Sequence, residues 1–232
     1  MNNLYKNSKI YFFYLKNEFR FIFHRDNASK TFKSKFLTKA NSERNFKLNN
    51  GNFLINPFLG KFQPWTLYIA SGATLENIRK DWITKNKEVN KGNTDIPVGH
   101  RSDFSERCQK CTNDVVKYFG EVLNDPSSKA VWDANIILFN APTVVYITIP
   151  KQRTLYNLFD SGAIEMSVMA AAKEKGVDSV PAYEAIKYPD ILRKHMKIGD
   201  DEDVVIGIAL GYEDKENILS KIKAKKLSVD EL

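Results

Sequence analysis

The sequence predicts an α+β protein in which helices cover a layered sheet. Two apolar runs, TVVYITIP (143–150) and DVVIGIALGY (203–212), have the length and the β-branched content of buried strands. Around them, stretches with apolar residues at helical spacing predict helices. Helices and strands alternate without a strict β-α-β rhythm, which favours an α+β arrangement over a doubly wound parallel sheet.

The elements before the first long strand begin near Trp65. WTLYIAS predicts a short strand from its aromatic and β-branched content, and GATLENIRKDWITKN predicts a helix that Thr74 caps. A later stretch, SSKAVWDANIILFNAP, predicts a helix that stops before Pro142.

Two helices are expected between the two long strands. DSGAIEMSVMAAAKEKG predicts a helix capped by Asp160 and ended by Gly176, and its alanines allow close packing. YPDILRKHM predicts a shorter helix that starts at Pro189. Between them, SVPAYE by itself predicts a loop.

The two cysteines, Cys108 and Cys111, form a C-x-x-C pair. Such a pair is compatible with half of a zinc site or with a redox pair. No second ligand pair follows, however, and the surrounding stretch SDFSERCQKCTNDVVKYFGEVL has helical spacing that aligns both thiols with Phe104 and Phe119. We interpret the pair as part of one helix face and expect no metal site.

Charge is divided unevenly along the chain. Residues 1–62 carry 12 Lys or Arg against 3 Asp or Glu, whereas the remainder carries 23 against 25. The first segment also holds 11 of the 15 Phe and no Val. Any basic surface for nucleic acid would therefore lie wholly within residues 1–62, and no nucleic-acid-binding motif is present there.

Several classes of catalytic motif are missing from the sequence. It has no Walker loop, no G-x-G-x-x-G, no G-x-S-x-G and no H-E-x-x-H, and it contains only three histidines. This composition favours an enzyme whose chemistry is carried out by a bound cofactor. No run of about 20 largely uncharged residues predicts a membrane span, and no signal peptide is evident, so we expect a cytoplasmic protein.

Four segments together resemble the FMN-dependent nitroreductase family: QPWTLYIASG, DSGAIEMSVMAAAKEKGVDSVPAYE, VVIGIALGY and KIKAKKLSVDEL. The resemblance runs from Gln63 to the C-terminus and depends on the order and spacing of the segments. It implies a central, mainly antiparallel sheet flanked by helices, in a homodimer with FMN at the subunit interface. It also implies NAD(P)H-dependent reduction of nitroaromatics, quinones or related small-molecule acceptors by ping-pong hydride transfer.

The resemblance also implies contacts to the flavin ring. A loop beside the ring is expected to bond its nitrogen and oxygen atoms through backbone amides, and it comprises Pro181, Ala182, Tyr183 and Glu184. Relatives often have Glu-Gly where this chain has Tyr-Glu. No side chain is assigned a catalytic role, because the flavin carries the chemistry.

Two lysines near the C-terminus match the cations that hold the FMN phosphate in the family, Lys223 and Lys225. In an extended segment, residues two apart point the same way, so both ammonium groups can reach one phosphate. A solvated basic C-terminus gives the same spacing, and only the family resemblance favours the phosphate site.

Residues 1–62 lack two signatures of the family, Arg-Arg-Ser-x-Arg-x-Phe and Pro-Ser-x-x-Asn-Ser. Reading the DNA one nucleotide later permits the first signature over Lys30 to Phe36 and the second over Pro57 to Phe62. We therefore divide the chain into an atypical segment, 1–62, and a nitroreductase-like domain, 63–232. Our hypothesis is that the atypical segment is a frame-shifted translation, and we expect it to be disordered. A divergent, lineage-specific N-terminus is the alternative.

Two other functions stay open at this point. The first is a catalytically impaired relic of such an enzyme with weak or no FMN binding, because residues 1–62 lack the expected cations. The second is a nucleic-acid-binding module that uses the same basic segment, whose binding would weaken with salt.

Overall fold

Antiparallel pairing of long strands organises the fold. The computed structural model describes residues 23–24, 33–34, 63–88 and 91–223. The strands are β1 (Phe23–His24), β2 (Lys33–Ser34), β3 (Thr66–Ser71), β4 (Thr143–Pro150), β5 (Asp178–Ala182) and β6 (Glu202–Gly211). Strands β1 and β2 pair with each other, whereas the main sheet has the order β3-β4-β6-β5 with every neighbouring pair antiparallel. The predicted α+β class and antiparallel sheet are confirmed.

Helices lie on both faces of this sheet. The helices of the described residues are α1 (Gly72–Glu88), α2 (Glu106–Leu123), α3 (Lys129–Ile136), α4 (Leu155–Glu174) and α5 (Pro189–Met196). Of these, α1, α4 and α5 cover the sheet. On one face, Tyr146 of β4 belongs to a core cluster with Ile78 of α1 and Leu192 of α5. On the other face, Ile147 packs in a second cluster with Ile164 of α4. Successive strand residues point to opposite faces, so a strand covered on both sides is apolar at nearly every position.

Helix α4 begins earlier than the sequence predicts. Its N-cap is Thr154, whose backbone N–H donates to Asn157 Oδ1 at 2.9 Å. Asp160, the predicted cap, is instead buried inside the helix. The first turn carries exposed apolar residues. The regular spacing of buried apolar residues, from which a helix is predicted, therefore begins only near Asp160. Gly176 does follow the helix end as predicted, with φ of +72°.

The predicted ends of two other helices are also wrong. Helix α1 starts at Gly72, whose φ of +53° lets the chain turn directly out of β3, so Thr74 lies inside the helix. Helix α3 ends at Ile136, and a left-handed turn at residues 138–140 separates it from β4.

That left-handed turn is held by a buried arginine. Three consecutive residues, 138–140, have φ between 49° and 55°, a region that costs L-residues roughly 1–2 kcal/mol each. Arg79 of α1 donates from Nε to the carbonyl of Ile137 at 3.0 Å and from Nη2 to that of Ala141 at 2.7 Å. The guanidinium thus bridges both ends of the turn, and Glu76 pairs with it at 2.6 Å.

The other edge of the sheet is tied to the chain that follows β6. Asp178, the first residue of β5, accepts a hydrogen bond from the backbone N–H of Glu213 at 3.0 Å and one from Lys173 Nζ of α4 at 3.0 Å. These bonds, led by that from Glu213, lower the pKa of the Asp178 carboxyl. One carboxylate thereby joins α4, β5 and the C-terminal tail.

Replacing Arg79 with methionine is expected to destabilise the protein by about 2–4 kcal/mol, because two carbonyls lose charged donors next to a strained turn. Chemical denaturation followed by circular dichroism measures this change. Lys80→Met, at the exposed neighbouring position, serves as the control and should stay within about 0.5 kcal/mol of wild type. Equal stability of the Arg79 and Lys80 variants would contradict the bridging role.

Replacing Asp178 with asparagine is expected to lower stability in a pH-dependent way. A carboxyl whose folded-state pKa is depressed adds stability above its unfolded pKa, roughly pH 4, and loses it as the pH falls through the folded value. The difference in unfolding free energy between wild type and Asp178→Asn should therefore be largest near neutral pH and shrink towards about pH 2. The exposed Asp133→Asn variant should show a smaller dependence of the unfolding free energy on pH. A difference for Asp178→Asn that does not vary with pH would contradict the lowered pKa of Asp178.

Candidate functional site

The residues predicted to lie beside a ligand occupy the edge of the main sheet. Pro181 and Ala182 are the last two residues of β5, which pairs only with β6 within the described sheet. The prediction of a loop here is wrong for these two residues. An edge strand leaves one row of backbone groups unpaired by its own sheet, so it tolerates a proline that has no N–H.

Tyr183 and Glu184 begin the 3-10 turn that follows, Tyr183–Ile186. Tyr183 is 67% exposed. Glu184 is partly buried, and its carboxylate lies 3.8 Å from Lys187 Nζ. The structure therefore brings all four loop candidates together in one continuous strip, in which Pro181 and Tyr183 face solvent while Ala182 is buried.

Close packing fixes the position of this turn on the sheet. Gly207 of β6 pairs with both Ala182 and Tyr146. A Cβ on Gly207 would lie 2.9 Å from the Ala185 methyl group, which is too close, and 3.2 Å from the Tyr146 ring, which is tight. The absence of a side chain at position 207 lets the turn settle directly over Tyr146.

Tyr146 is fully buried beneath that turn. Its hydroxyl has no hydrogen-bond partner among the described residues, and burial raises its pKa. A phenol that stays neutral contributes a rigid apolar support and no proton transfer in the neutral pH range. Tyr146 therefore offers no group that could transfer a proton near this turn.

Lys223 lies at the opposite end of β5. Its backbone N–H donates to the hydroxyl of Tyr118 on α2 at 3.1 Å. Its ammonium group lies 3.8 Å from a carboxylate oxygen of Glu213, which is the residue bound to Asp178. Lys223 is mostly exposed, so this ion pair is weak and leaves the cation available to a stronger anion.

Within one chain, the two groups of candidate residues are thus not in contact. Lys223 contacts Glu213, whose N–H binds Asp178 at the start of β5. Pro181 and Ala182 close the strand about 10–14 Å beyond Asp178, at roughly 3.4 Å per residue. They share an edge of the sheet, so only an elongated ligand could touch both. Lys225 lies outside the described residues.

A surface that the sequence reading missed runs along α4. Ile164 and Val168 bury one side of the helix in the core, yet Leu155 is 83%, Phe159 76% and Met166 60% exposed. At about 100° per residue these last three fall within about 40° of one another. The sequence did contain a signal for this surface: α4 has apolar residues on all sides, and a helix of that kind is usually buried on all sides.

The cysteine-bearing helix forms as predicted, and the side that carries the thiols is exposed. Phe104, Cys108 and Cys111 are exposed rather than turned into the core. Leu123, at the far end of α2, is its buried residue. Among the described residues there is no group of three or more His, Cys, Asp or Glu arranged to hold a metal ion, and none of the helices there is long and apolar enough to cross a bilayer.

Curated relatives match most of the chain at low identity. The 4-nitrobenzoate reductase of Nocardioides sp. (strain LMS-CY) is 22% identical over 181 residues, which cover 75% of this chain and 73% of the relative. The chloronitrobenzene nitroreductase of Comamonas testosteroni is 21% identical over 200 residues, covering 75% and 79% respectively.

Solved structures share the fold. The FMN-dependent nitroreductase NfnB of Mycobacterium smegmatis, solved in complex with NADPH, superposes with a TM-score of 0.68 at 19% identity, covering 75% of this chain and 79% of that one. The FMN- and NADPH-dependent NfnB of Sphigopyxis sp. strain HMH gives a TM-score of 0.67 at 21% identity, covering 76% and 81%.

The family model described as the nitroreductase family matches residues 32–212, about three quarters of the chain. The match contains the whole main sheet, helices α1 to α5 and the strip from Pro181 to Glu184. This protein therefore belongs to the nitroreductase family.

Proposed function

We propose that this chain is an FMN-dependent NAD(P)H oxidoreductase that reduces nitroaromatics, quinones or related acceptors. The observation that carries the proposal is the exposed strip at the end of β5, beside the turn that packs close to Tyr146, in a chain of the nitroreductase family. The curated relatives are named as reductases of nitroaromatic compounds, and the structural neighbours as FMN- and NADPH-dependent enzymes. Both support the same reaction class.

The residues of the strip fit a flat, polar-edged ring. Bound FMN would accept hydride from NAD(P)H and then reduce the acceptor. Pro181 and Tyr183 offer exposed surface against which a ring can lie, and the unpaired side of β5 offers backbone groups to its polar edge. The protein's role is to hold the ring and its reaction partners on one rigid support, because no titratable side chain is required at the reacting atoms.

Lys223 and Lys225 are proposed to bind the phosphate. Lys223 is exposed, and its present partner is a single carboxylate at 3.8 Å. A doubly charged phosphate competes favourably with such a contact, because charge-assisted hydrogen bonds of this kind are among the stronger ones in proteins. The bond from Lys223 N–H to the Tyr118 hydroxyl also holds this part of the tail against α2.

A homodimer is proposed because α4 has an apolar surface on the side that faces away from the core. Leu155, Phe159 and Met166 are each at least 60% exposed, and contiguous apolar patches of this kind mark interaction sites. A second copy that buries this face would bring a second chain close to β5, since α4 is joined to that strand through Lys173 and Asp178. The strip and the phosphate lysines could then be completed from two chains.

A relic that no longer holds FMN is the second candidate. The observation that favours it is the composition of residues 1–62, which lack the family's arginine signature. The family match begins at Phe32, so the second half of this segment lies within the matched range in the given frame. Sequencing the coding DNA over these codons separates the explanations, since a shifted frame that contains stop codons excludes the frame-shift hypothesis.

Titration of the purified chain with FMN is the test of the proposed function. We expect a yellow complex whose flavin absorbance is bleached by NADPH without oxygen and restored by a nitroaromatic or a quinone. Lys223→Gln and Lys225→Gln should each weaken FMN binding about 10- to 100-fold, because each removes a charged hydrogen bond worth roughly 1.5–3 kcal/mol.

Lys226→Gln is the matched control, since an extended tail would point that neighbouring cation the other way. We expect its FMN affinity to stay within about threefold of wild type. Equal losses of FMN affinity in all three variants would show that the lysines act only through the general positive charge of the tail. A colourless protein that ignores added FMN would establish the relic.

Phe159→Glu is expected to convert the dimer to a monomer, because it places a charge in the centre of the apolar face of α4. Sedimentation velocity across a range of protein concentrations measures the change. Val98→Glu introduces the same charge at an exposed apolar position in a loop and should leave the dimer intact. A wild-type chain that sediments as a monomer at all concentrations refutes this assembly.

A further inference from the structure

Two free thiols project from the beginning of α2, and the proposed reaction makes no use of them. Cys108 and Cys111 are both exposed and unbridged. They lie on one helix as predicted, but they do not pack into the core, so packing does not occupy either thiol. The two side chains stand one helical turn apart in the segment Glu106–Leu123, where residues three apart are neighbours on the surface.

The geometry of this pair suits a bridging ion better than a disulfide. Residues three apart in an α-helix have Cβ atoms roughly 5–6 Å apart, whereas a disulfide requires about 3.5–4.5 Å. Closing an S–S bond would therefore distort the first turns of α2. Two thiolates that bind one metal at about 2.3 Å each lie up to about 4.6 Å apart. Side-chain rotation alone reaches that separation.

The ligand set also restricts the identity of the ion. Structural zinc takes four ligands, yet no third His, Cys, Asp or Glu joins the two thiols in the part of the chain that the structure describes. Soft thiolates favour Cu(I) and zinc among the common biological metals, and the lack of further ligands leaves Cu(I) as the better fit. Cu(I), a closed-shell monovalent ion, is also stable with only two thiolate ligands.

Local charge favours such a complex. Two thiolates and one Cu(I) carry a net charge of −1, and the pair lies in the first two turns of α2, where the helix dipole stabilises negative charge. Lys110 stands between the thiols in sequence and Arg107 precedes them. The acidic Glu106 and Asp114 partly offset these cations, so the site is mildly rather than strongly attractive.

We propose that Cys108 and Cys111 form a two-thiolate binding site for Cu(I), separate from the strip at the edge of the sheet. Binding replaces two S–H bonds with two Cu–S bonds and releases two protons, with no change in oxidation state. Affinity should consequently rise with pH, by up to about 100-fold between about pH 6 and about pH 7.

Competition against a chromophoric Cu(I) chelator such as bicinchoninate, under anaerobic conditions and with the reduced full-length chain, tests the site. We expect one Cu(I) per chain. Cys108→Ser and Cys111→Ser should each lower the affinity at least 100-fold, since each leaves a single thiolate. Zinc added at the same concentration should not displace Cu(I).

A variant that combines Cys111→Ser with Asn113→Cys is the matched control. It keeps two exposed thiols, but at about 100° per residue it turns them about 140° apart on the helix. Its affinity should match that of the single-serine variants, and circular dichroism should confirm that all variants are folded. Wild-type affinity in this control, or in either single variant, would show independent thiol binding and overturn the site. Half an equivalent of Cu(I) per chain would do the same, because it means bridging between molecules.

Discussion

The fold depends on the pairing of β4 with β6 in a sheet that is buried on both faces. Eight consecutive residues of β4 pair with β6, with one register shift between Ile147 and Thr148. Neither strand has a solvent-facing side, so helices must cover both faces: α1 and α5 on one and α4 on the other. Each fully buried aliphatic side chain contributes roughly 1.5–3 kcal/mol relative to exposure, and this central pair supplies many of them.

This constraint also positions the candidate site. The centre of the sheet is fully covered, so a ligand of appreciable size can bind only at an edge or between chains. On the β5 edge, Gly207 allows the turn after the strand to pack directly on Tyr146, while Asp178 ties the start of the strand to the tail that carries Lys223. The edge is thereby held at both ends, which fixes the position of the strip between them.

Sequence patterns located most of the elements because of this double burial. The runs that became β4 and β6 are apolar at nearly every position, as a strand covered on both faces must be, and Pro189 starts α5 as predicted. The difference at the start of α4 has a physical origin in exposed apolar residues. The predicted cap of α4, Asp160, lies six residues after the observed cap, Thr154, because Leu155, Phe159 and their neighbours are apolar yet exposed. The thiol-bearing face of α2 is likewise exposed, because the first turns of that helix meet no core.

The sequence by itself determined the α+β class, the order of the main elements and the resemblance to the nitroreductase family, because hydrophobic periodicity and motif order are local properties of the chain. Only the tertiary structure decided that Pro181 and Ala182 lie in an edge strand, that Lys223 lies at that strand's far end, and that Cys108 and Cys111 face solvent. Those facts depend on which strands pair and which helix faces find a partner. Such contacts join residues far apart in the chain, and no local pattern encodes them.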